Sequence, residues 1–581
     1  MNRTAAPDRP ATPDRPADRP RDEGSALLLV VGVMSALVLL VSAGLGYALQ
    51  TQGVAQQSRA TNQALAAAQS GIDDYLARLN RDENYWLTVD CTNPALRGPS
   101  TGTNSCGWGS GTSVGWASVP GSDPTPYPSE FHYDVEATTT SVNGTLSITS
   151  TGRAGGTTRS VTALLRRDGF GEFLYFTVYE TPDPATYPNP TEATDRCEHY
   201  FWEPSTPTTK PRDLNYCGQG IVFAASDVLE GPVHSNDSLL IAGGATFKDT
   251  VTTADPSCNP GTGAPKPAAQ CYRANDAGTP NFQRGIGWRG ELPLPDSNDS
   301  LRKQVTPGQT NNLGCLYTGP TRIRFLAPAA GGTPLMRVWS RWSTAATLNP
   351  GCGSAADLQG AGATVAVPDN KLILVQNVPS GQSSPASGPC AAGSIGDGLP
   401  LADDWNRLLG EYNCRQGTVY VEGALKGRVT IAADNNVVVT DDLTYAGGLN
   451  GTDTLGLIAS NSVAIYHPIK RTDTNGSITW SDLPSPTKPD VTVHAAVLTL
   501  KHSFTVQTWQ EGARLGTLTL FGSIGQKFRG PVGYVNTTGY VKNYRYDARL
   551  KYSPPPYFLD PVKSSWALKS FGEVSPRYRT P

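Results

Sequence analysis

At 581 residues, the chain is too long for one ordinary hydrophobic core, so its length favours two or three domains beyond the N-terminal segment. Gly (61) and Pro (47) are abundant and only 17% of residues are charged, which is typical of short strands joined by turns and argues against a helical bundle. The net charge is −3, and no basic run follows the scattered arginines of the first 21 residues, so a nucleic-acid partner lacks an electrostatic footprint.

The first 24 residues are predicted to be a polar, disordered leader. DRP recurs at Asp8, Asp14 and Asp18, and residues 1–23 contain five Arg beside five acidic residues. Such a segment has too little apolar surface to fold by itself.

A long apolar helix is predicted next. No charged side chain occurs from Ser25 to Ser58, and the stretch from Ser25 to Leu49 exceeds the roughly 20 residues that span a bilayer. Five Arg precede it, whereas only Arg59 follows closely. Because positive charge stays inside, we expect a single-pass inner (cytoplasmic) membrane protein with a cytoplasmic N-terminus and an exported C-terminal region.

The helix is predicted to continue beyond the membrane to about residue 80. Leu65, Ala68, Ile72, Leu76 and Leu79 advance by three or four residues and form one apolar stripe. A secretory signal peptide is the competing interpretation, but its apolar region is shorter and ends at a small-residue cleavage site.

These residues carry a resemblance. The run EGSALLLVVGVMSALVLL followed by QALAAAQSGIDDYLARL resembles the N-terminus of PilX-type minor pilins. The resemblance implies cleavage after Gly24 by a prepilin peptidase, a mature N-terminus at Ser25, and assembly with other pilin or minor pilin subunits. A plain membrane anchor that is never cleaved remains the alternative.

One position departs from the pattern of major pilins. They carry a glutamate at the fifth mature position, where it neutralises the terminal amine of a neighbouring subunit, and here that position holds Leu29. An unpaired ammonium in an apolar core is costly. The K-type pseudopilins of filament tips also lack the glutamate, so a tip or initiating position is expected.

The exported part is predicted to be mainly β, in an α+β chain. Residues 81–168 contain the strand-like segments FHYDVEATT, GTLSITSTG and RSVTALLRR, which fit a small antiparallel pilin-like head. Short apolar triplets with Gly, Asn and Asp between them then favour an irregular parallel β-solenoid, with a β-sandwich as the alternative. The predicted divisions are a first solenoid block (169–253), a Cys-rich projecting insert (254–416), a second block (417–540) and an aromatic, Pro-rich cap (541–581).

The cysteines are predicted to form disulfides. All ten lie beyond the apolar segment, which fits an oxidising compartment, and none forms the CxxC spacing of zinc or redox sites. Pairing neighbours in order would close loops of about 13 to 37 residues, each stabilising by roughly 3 kcal/mol, although sequence leaves the connectivity open. The candidates are Cys91, Cys106, Cys197, Cys217, Cys258, Cys271, Cys315, Cys352, Cys390 and Cys414.

No catalytic, cofactor-binding or metal-binding residue is predicted, and no cofactor. Asp434, Asp441 and Asp442 are candidate carboxylates for glycoside cleavage, but they lie among Asn and Gly, where turn formation at solenoid corners is the simpler interpretation. His234 is interpreted as a hydrogen-bonding residue on a solenoid face.

The sequence therefore predicts a non-enzymatic, pilin-like structural protein, a minor tip or initiating subunit of a type IV pilus-like filament. Its expected work is pilus assembly, with adhesion to surface carbohydrate or a host receptor as a further role. The alternative is a membrane-tethered carbohydrate-binding or carbohydrate-cleaving β-helix protein.

Overall fold

The chain has α+β architecture, with one long N-terminal helix, a small antiparallel sheet and a large, mainly-β body, so the predicted fold class is confirmed. In the computed structural model, the described residues are 25–82, 85–87, 89–96, 114–122, 128–137, 140, 144–167, 169–207, 209–218, 220–328, 331–384, 390–391, 393–396, 398–405, 412–483, 489–534, 537–561 and 566–578.

Helix α1 runs without interruption over Ser25–Arg81. It contains no proline, so nothing removes a backbone donor from its interior. Glycines at 32, 44, 46 and 53 lie in open space and leave the helix unbroken. Its last six turns bury Ala64, Ala68, Ile72 and Leu79 against the sheet, at the spacing of an amphipathic helix.

The head is a five-stranded sheet in the order β1-β2-β3-β4-β31, and every neighbouring pair in it is antiparallel. Strands β2, β3 and β4 correspond to the three segments that the sequence indicates. The strands are β1 (Ala117–Ser118), β2 (Glu130–Glu136), β3 (Thr145–Ala154), β4 (Thr157–Arg167) and β31 (Trp566–Val574).

The fifth strand of the head comes from the far end of the chain. Strand β31 pairs with β4 from Trp566 opposite Arg167 to Val574 opposite Ser160. The head is therefore not confined to residues 81–168, as the sequence suggests, and the body is an insertion between β4 and β31. Pairing between such distant segments leaves no local pattern in the sequence.

Among its described residues, the body contains short strands and three short α-helices, α2 (Pro190–Cys197), α3 (Leu214–Cys217) and α4 (Ala355–Gln359). The strands before residue 400 are β5 (Tyr175–Tyr179), β6 (Val228–Leu229), β7 (Val233–Ser235), β8 (Leu240–Ile241), β9 (Thr246–Phe247), β10 (Val251–Thr253), β11 (Arg273–Ala274), β12 (Asn281–Phe282), β13 (Ile286–Trp288), β14 (Cys315–Thr318), β15 (Thr321–Leu326), β16 (Leu335–Ser340), β17 (Ala363–Ala366) and β18 (Lys371–Gln376). Those after it are β19 (Val419–Leu425), β20 (Arg428–Ala433), β21 (Val437–Tyr445), β22 (Thr454–Ala459), β23 (Val463–Ile465), β24 (Ile469–Thr474), β25 (Ser477–Asp482), β26 (Val491–Thr499), β27 (Phe504–Val506), β28 (Arg514–Phe528), β29 (Gly533–Tyr534) and β30 (Thr538–Tyr546).

Two parallel ladders organise these strands. The longer has the order β14-β18-β20-β22-β26-β28-β5-β7-β10-β13, and the shorter has the order β15-β19-β21-β23-β27. Alternate strands of the chain join alternate ladders, which is the arrangement of a solenoid and differs from the antiparallel pairing of a β-sandwich. One row of paired residues crosses the longer ladder: Cys315, Ile373, Ile431, Leu457, Val497, Ile524, Tyr175, Val233, Val251 and Ile286.

The stacking order corrects the predicted insert. Within residues 254–416, β14 pairs with β18, while β15 and β18 pair directly with β19 and β20 of the later coils, so this segment does not simply project. The first block stacks on the last coil of the second, because β5 pairs with the end of β28.

The predicted cap is also corrected. Strand β30, with Tyr544 and Tyr546, pairs with the first half of β28, so it shares that strand with β5. Tyr557 and Phe558 instead pack against Leu372, Leu374 and other residues on the flank of the longer ladder. Their apolar rings cover a side of the coils and not an open end.

Disulfides cross-link loops of the body. Four are described, and each joins cysteines that are neighbours in the sequence: Cys197–Cys217, Cys258–Cys271, Cys315–Cys352 and Cys390–Cys414. Cys91 is also disulfide-bonded, and Cys106 lies outside the described residues.

Candidate membrane and assembly surface

The first part of α1 is a rod of exposed apolar side chains. Every residue from 26 to 59 is exposed; the apolar rod is residues 26–49, almost all of them apolar, and its Leu28 is 77% accessible. Burying such side chains is worth about 25 cal/mol per Å², so a surface of this extent drives the rod into lipid or against other apolar helices.

By length and composition, the helix Ala26–Arg81 is able to cross a membrane. It is consistent with a single-pass membrane anchor or a signal segment. No Asp, Glu, Lys, Arg or His occurs in it before Arg59, so the apolar part contains no side chain whose charge must be neutralised.

The second part of the helix is held against the head by a close backbone approach. A Cβ atom on Gly152 of β3 would lie 2.1 Å from the Ala64 carbonyl oxygen and 2.3 Å from the Ala68 nitrogen. A Cβ atom on Gly71 of the helix would lie 2.2 Å from the Ser150 hydroxyl oxygen. One glycine on each partner therefore allows contact that any other residue would prevent.

A polar cluster fixes the last turns of α1. Arg78 Nε donates a hydrogen bond of 2.8 Å to Asp74, and the Tyr133 hydroxyl donates one of 3.0 Å to the same carboxylate. Asn93 donates from its side chain to the Tyr133 hydroxyl and, at 3.1 Å, to that of Tyr85. Burial, followed by the charge of Asp74, raises the pKa of Tyr133, so this phenol stays a neutral donor.

The proposed leader junction lies at the edge of the described structure. Gly24 lies outside the described residues, and Ser25 is the first residue of α1. Leu29 is 68% accessible and belongs to the exposed apolar rod. Leu29 therefore places an alkyl group at the position where a carboxylate would be needed to neutralise the terminal amine of a neighbouring subunit.

The carboxylates considered for glycoside cleavage have structural partners. Asp434 accepts two hydrogen bonds from Arg302 Nη2, at 2.8 and 2.7 Å, and one from the Asn377 backbone at 2.9 Å. Asp441 and Asp442 lie within β21, where the pairing with β19 shifts register. Their expected position at a coil corner is therefore wrong, because they occupy an irregularity inside a strand.

Histidines likewise act as local hydrogen-bonding groups. His234 is fully buried between Thr252 Oγ1, at 2.9 Å, and Asn236 Oδ1, at 3.2 Å. Within the described parts of the chain, no group of three or more His, Cys, Asp or Glu side chains is placed to hold a metal ion.

Two features escaped the sequence analysis. Asn80 at the end of α1 bonds Trp566 of β31, and a cleft in the body is lined by Asp183, Glu198 and His502. Both bring together residues hundreds of positions apart, and no spacing rule detects such a pair.

Comparison with known proteins yields little similarity. No protein-family model matches the chain, and no curated protein matches it. Among solved structures, it is similar to the crystal structure of the competence-associated pilin ComZ from Thermus thermophilus, with 13% sequence identity and a TM-score of 0.25 over 89% of this chain and 97% of that chain. A TM-score of this size does not establish a shared fold.

Proposed function

We propose that the chain is a pilin-like minor subunit that occupies the tip or the initiating position of a type IV pilus-like filament. The observation that carries the proposal is the division of α1 into an exposed apolar rod and a second part buried on a small antiparallel sheet. Such a rod is stored in the bilayer and moves from lipid to a bundle of like helices with little change in desolvation.

The size and attachment of the body favour a terminal position. The body, inserted between β4 and β31, far exceeds the head that it interrupts. Repeated along a shaft, it would stand beside every neighbouring head, whereas a filament end leaves one side free. Leu29 agrees with this position, because it cannot neutralise the amine of a neighbouring subunit.

The processing step is tested at the leader. Prepilin peptidase is the proposed partner, Gly24 the last leader residue, and Ser25 the mature N-terminus. Mass spectrometry of the chain isolated from membranes is expected to find Ser25 first, and Gly24→Leu is expected to retain the leader. An intact leader in the unaltered protein contradicts the proposal.

Assembly is tested separately by cross-linking in cells. A photo-reactive amino acid at position 39, on the apolar rod, is expected to capture other pilin subunits. The same group at Lys210, which is exposed on the body, is the matched control and is expected to capture none. Equal capture at both positions, or capture at neither, overturns the assembly role.

A further inference from the structure

A cleft of about 560 Å³ opens on the body, within the range of roughly 300–1,000 Å³ that is typical of small-ligand sites. Its floor is formed where three neighbouring strands of the longer ladder end: β5 at Tyr179, β28 at Phe528 and β26 just before Leu500. Residues of α2 and the Pro-rich segment 291–296 form its walls.

The wall that contains α2 is rigidly built. The Cys197–Cys217 disulfide closes its loop, and Arg212 forms an ion pair with Asp237 in which both side chains are fully buried. Asp237 also accepts hydrogen bonds from the backbone of Phe201 at 2.8 Å and of Glu180 at 2.9 Å. The wall is therefore formed before any ligand arrives, which reduces the entropy lost on binding.

The polar groups of the cleft are arranged in donor–acceptor pairs. Asp183, whose side chain is 8% exposed, lies 3.0 Å from His502 Nδ1. Within the described residues, no hydrogen bond involves His502 Nε2. Lys527 Nζ lies 2.5 Å from Glu198 Oε1.

A third pair lies across the cleft. The Tyr200 hydroxyl donates a hydrogen bond of 3.0 Å to Glu291 Oε2. Glu198 and Glu291 keep further lone pairs for a ligand, whereas Asp183 also accepts hydrogen bonds from the Ala185 backbone at 2.9 Å and the Ser503 hydroxyl at 3.3 Å. The cleft therefore offers a ligand carboxylate acceptors at Glu198 and Glu291, an ammonium donor at Lys527 and a ring nitrogen at His502.

Apolar surface separates these pairs. Tyr179 lies in a row of rings, 5.0 Å from Tyr200 and 5.4 Å from Phe528 between centroids. Pro293 and Leu294 add aliphatic surface from the opposite wall. Alternating apolar and paired polar groups match a ligand with C–H faces and rows of neighbouring hydroxyl groups.

We propose that this cleft binds a neutral oligosaccharide of two or three rings. Neighbouring hydroxyls of a sugar each donate and accept hydrogen bonds, so one carboxylate–cation pair can engage two of them. An anionic ligand is disfavoured, because four carboxylates face two lysines and one histidine. A wholly apolar ligand would leave the carboxylates desolvated without partners.

The test is binding of three neutral trisaccharides, cellotriose, maltotriose and triacetylchitotriose, to the full chain. Lauryldimethylamine oxide keeps the chain in solution, because a maltoside detergent would itself present a sugar. Saturation-transfer NMR and calorimetry are expected to detect at least one of them. Glu198→Gln and Lys527→Met are each expected to weaken binding about tenfold, the effect of losing one charged hydrogen-bond partner.

Glu230→Gln is the matched control, because Glu230 forms a comparable exposed ion pair with Lys248 elsewhere on the body. It is expected to leave binding unchanged, and thermal melts verify that all variants are folded. The proposal is overturned if none of the three sugars binds, if the cleft variants bind like the control, or if only a sulfated trisaccharide or a proline-rich decapeptide binds. It does not depend on filament assembly, because an uncleaved Gly24→Leu chain has the same cleft and must bind equally.

Discussion

Asn80 and Trp566 are joined by two hydrogen bonds although 486 positions separate them. The Trp566 backbone donates to Asn80 Oδ1 at 2.7 Å, and Asn80 Nδ2 donates to the Trp566 carbonyl at 3.0 Å. They connect the end of α1 to the first residue of β31. The head is therefore completed only when the last part of the chain has been made.

Replacing Asn80 is expected to loosen β31. In Asn80→Ala, the Trp566 amide loses its acceptor, and about 1 kcal/mol of local stability is lost with it. Hydrogen exchange is expected to be roughly fivefold faster at Trp566. Asn62→Ala, on the exposed face of α1, is the control, and equal exchange in both variants contradicts the role of Asn80.

Replacing Gly152 is expected to separate the helix from the sheet. The added methyl group of Gly152→Ala would overlap the backbone of α1, and overpacking of this kind typically costs about 1–3 kcal/mol. Gly572→Ala, in β31 of the same sheet, is the control because its Cβ would meet nothing within 4 Å. Thermal denaturation and the rate of tryptic cleavage after Arg59 compare the stability of the two variants. Unaltered stability in Gly152→Ala refutes the close contact.

Acid is expected to destabilise the body through His234. Burial, and then the charge of Arg289, lowers the pKa of His234 to about 3. As the pH falls, the histidine of the unfolded chain, with a pKa near 6.5, takes up a proton before the buried one does. The contribution of neutral His234 to the free energy of unfolding is therefore complete above about pH 6.5 and is lost as the pH falls towards 3. The loss reaches at most about 1.4 kcal/mol per pH unit.

The melting temperature between pH 7 and pH 4 measures this loss. His234→Gln is expected to flatten the profile even if it lowers stability overall. His199→Gln, at a partly exposed position beside Glu203, is expected to keep the slope of the unaltered protein. If His234→Gln keeps the slope of the unaltered protein, a group other than His234 causes the acid sensitivity.

Asp404 is expected to give the opposite pH dependence, with stability lost as the pH rises. Burial raises its pKa to about 6, although Gln507 Nε2 and the Ile469 amide donate hydrogen bonds to it. Because the folded pKa exceeds the unfolded value near 3.9, its contribution is fully present below about pH 4 and is lost as the pH rises through 6.

Asp404→Asn removes the buried charge and keeps an acceptor for Gln507. It is expected to raise the free energy of unfolding at pH 7 by about 1 kcal/mol, after allowance for partial exposure, and to have less effect at pH 4. Asp403→Asn, at an exposed partner of Lys470, is the control. Chemical denaturation at both pH values compares the variants, and a gain that is equal at pH 4 and pH 7 contradicts the titration of Asp404.

Local patterns predicted the elements better than their arrangement. The uncharged run after Ser25 and the stripe ending at Leu79 define α1, and alternation defines β2, β3 and β4, because these signals are contained in a few turns or residues. The pairing of Tyr175 with Ile524 joins segments whose own patterns are alike, so the stacking order of the coils could not be derived. Asp441 and Asp442 resembled a turn, since local sequence does not distinguish a corner from a bulge.

The apolar rod and the cleft likewise differ in whether the sequence alone predicts them. The apolar rod was predictable because every residue that forms it is consecutive. The cleft was not, because Asp183 and His502 approach only after β5 has stacked on β28. A site that the tertiary stacking creates has no motif of its own.

The insertion of the body between β4 and β31 has a mechanical consequence. Arg167, where the chain leaves the head, is paired with Trp566, where it returns, so two adjacent covalent tethers share any traction on the body. A force along these strands acts at right angles to the hydrogen bonds of the β3–β4 ladder, because those bonds lie perpendicular to the strands. All of these bonds therefore share the force at the same time. The head would thus resist shear collectively, where a single terminal linker would concentrate the whole force on one strand.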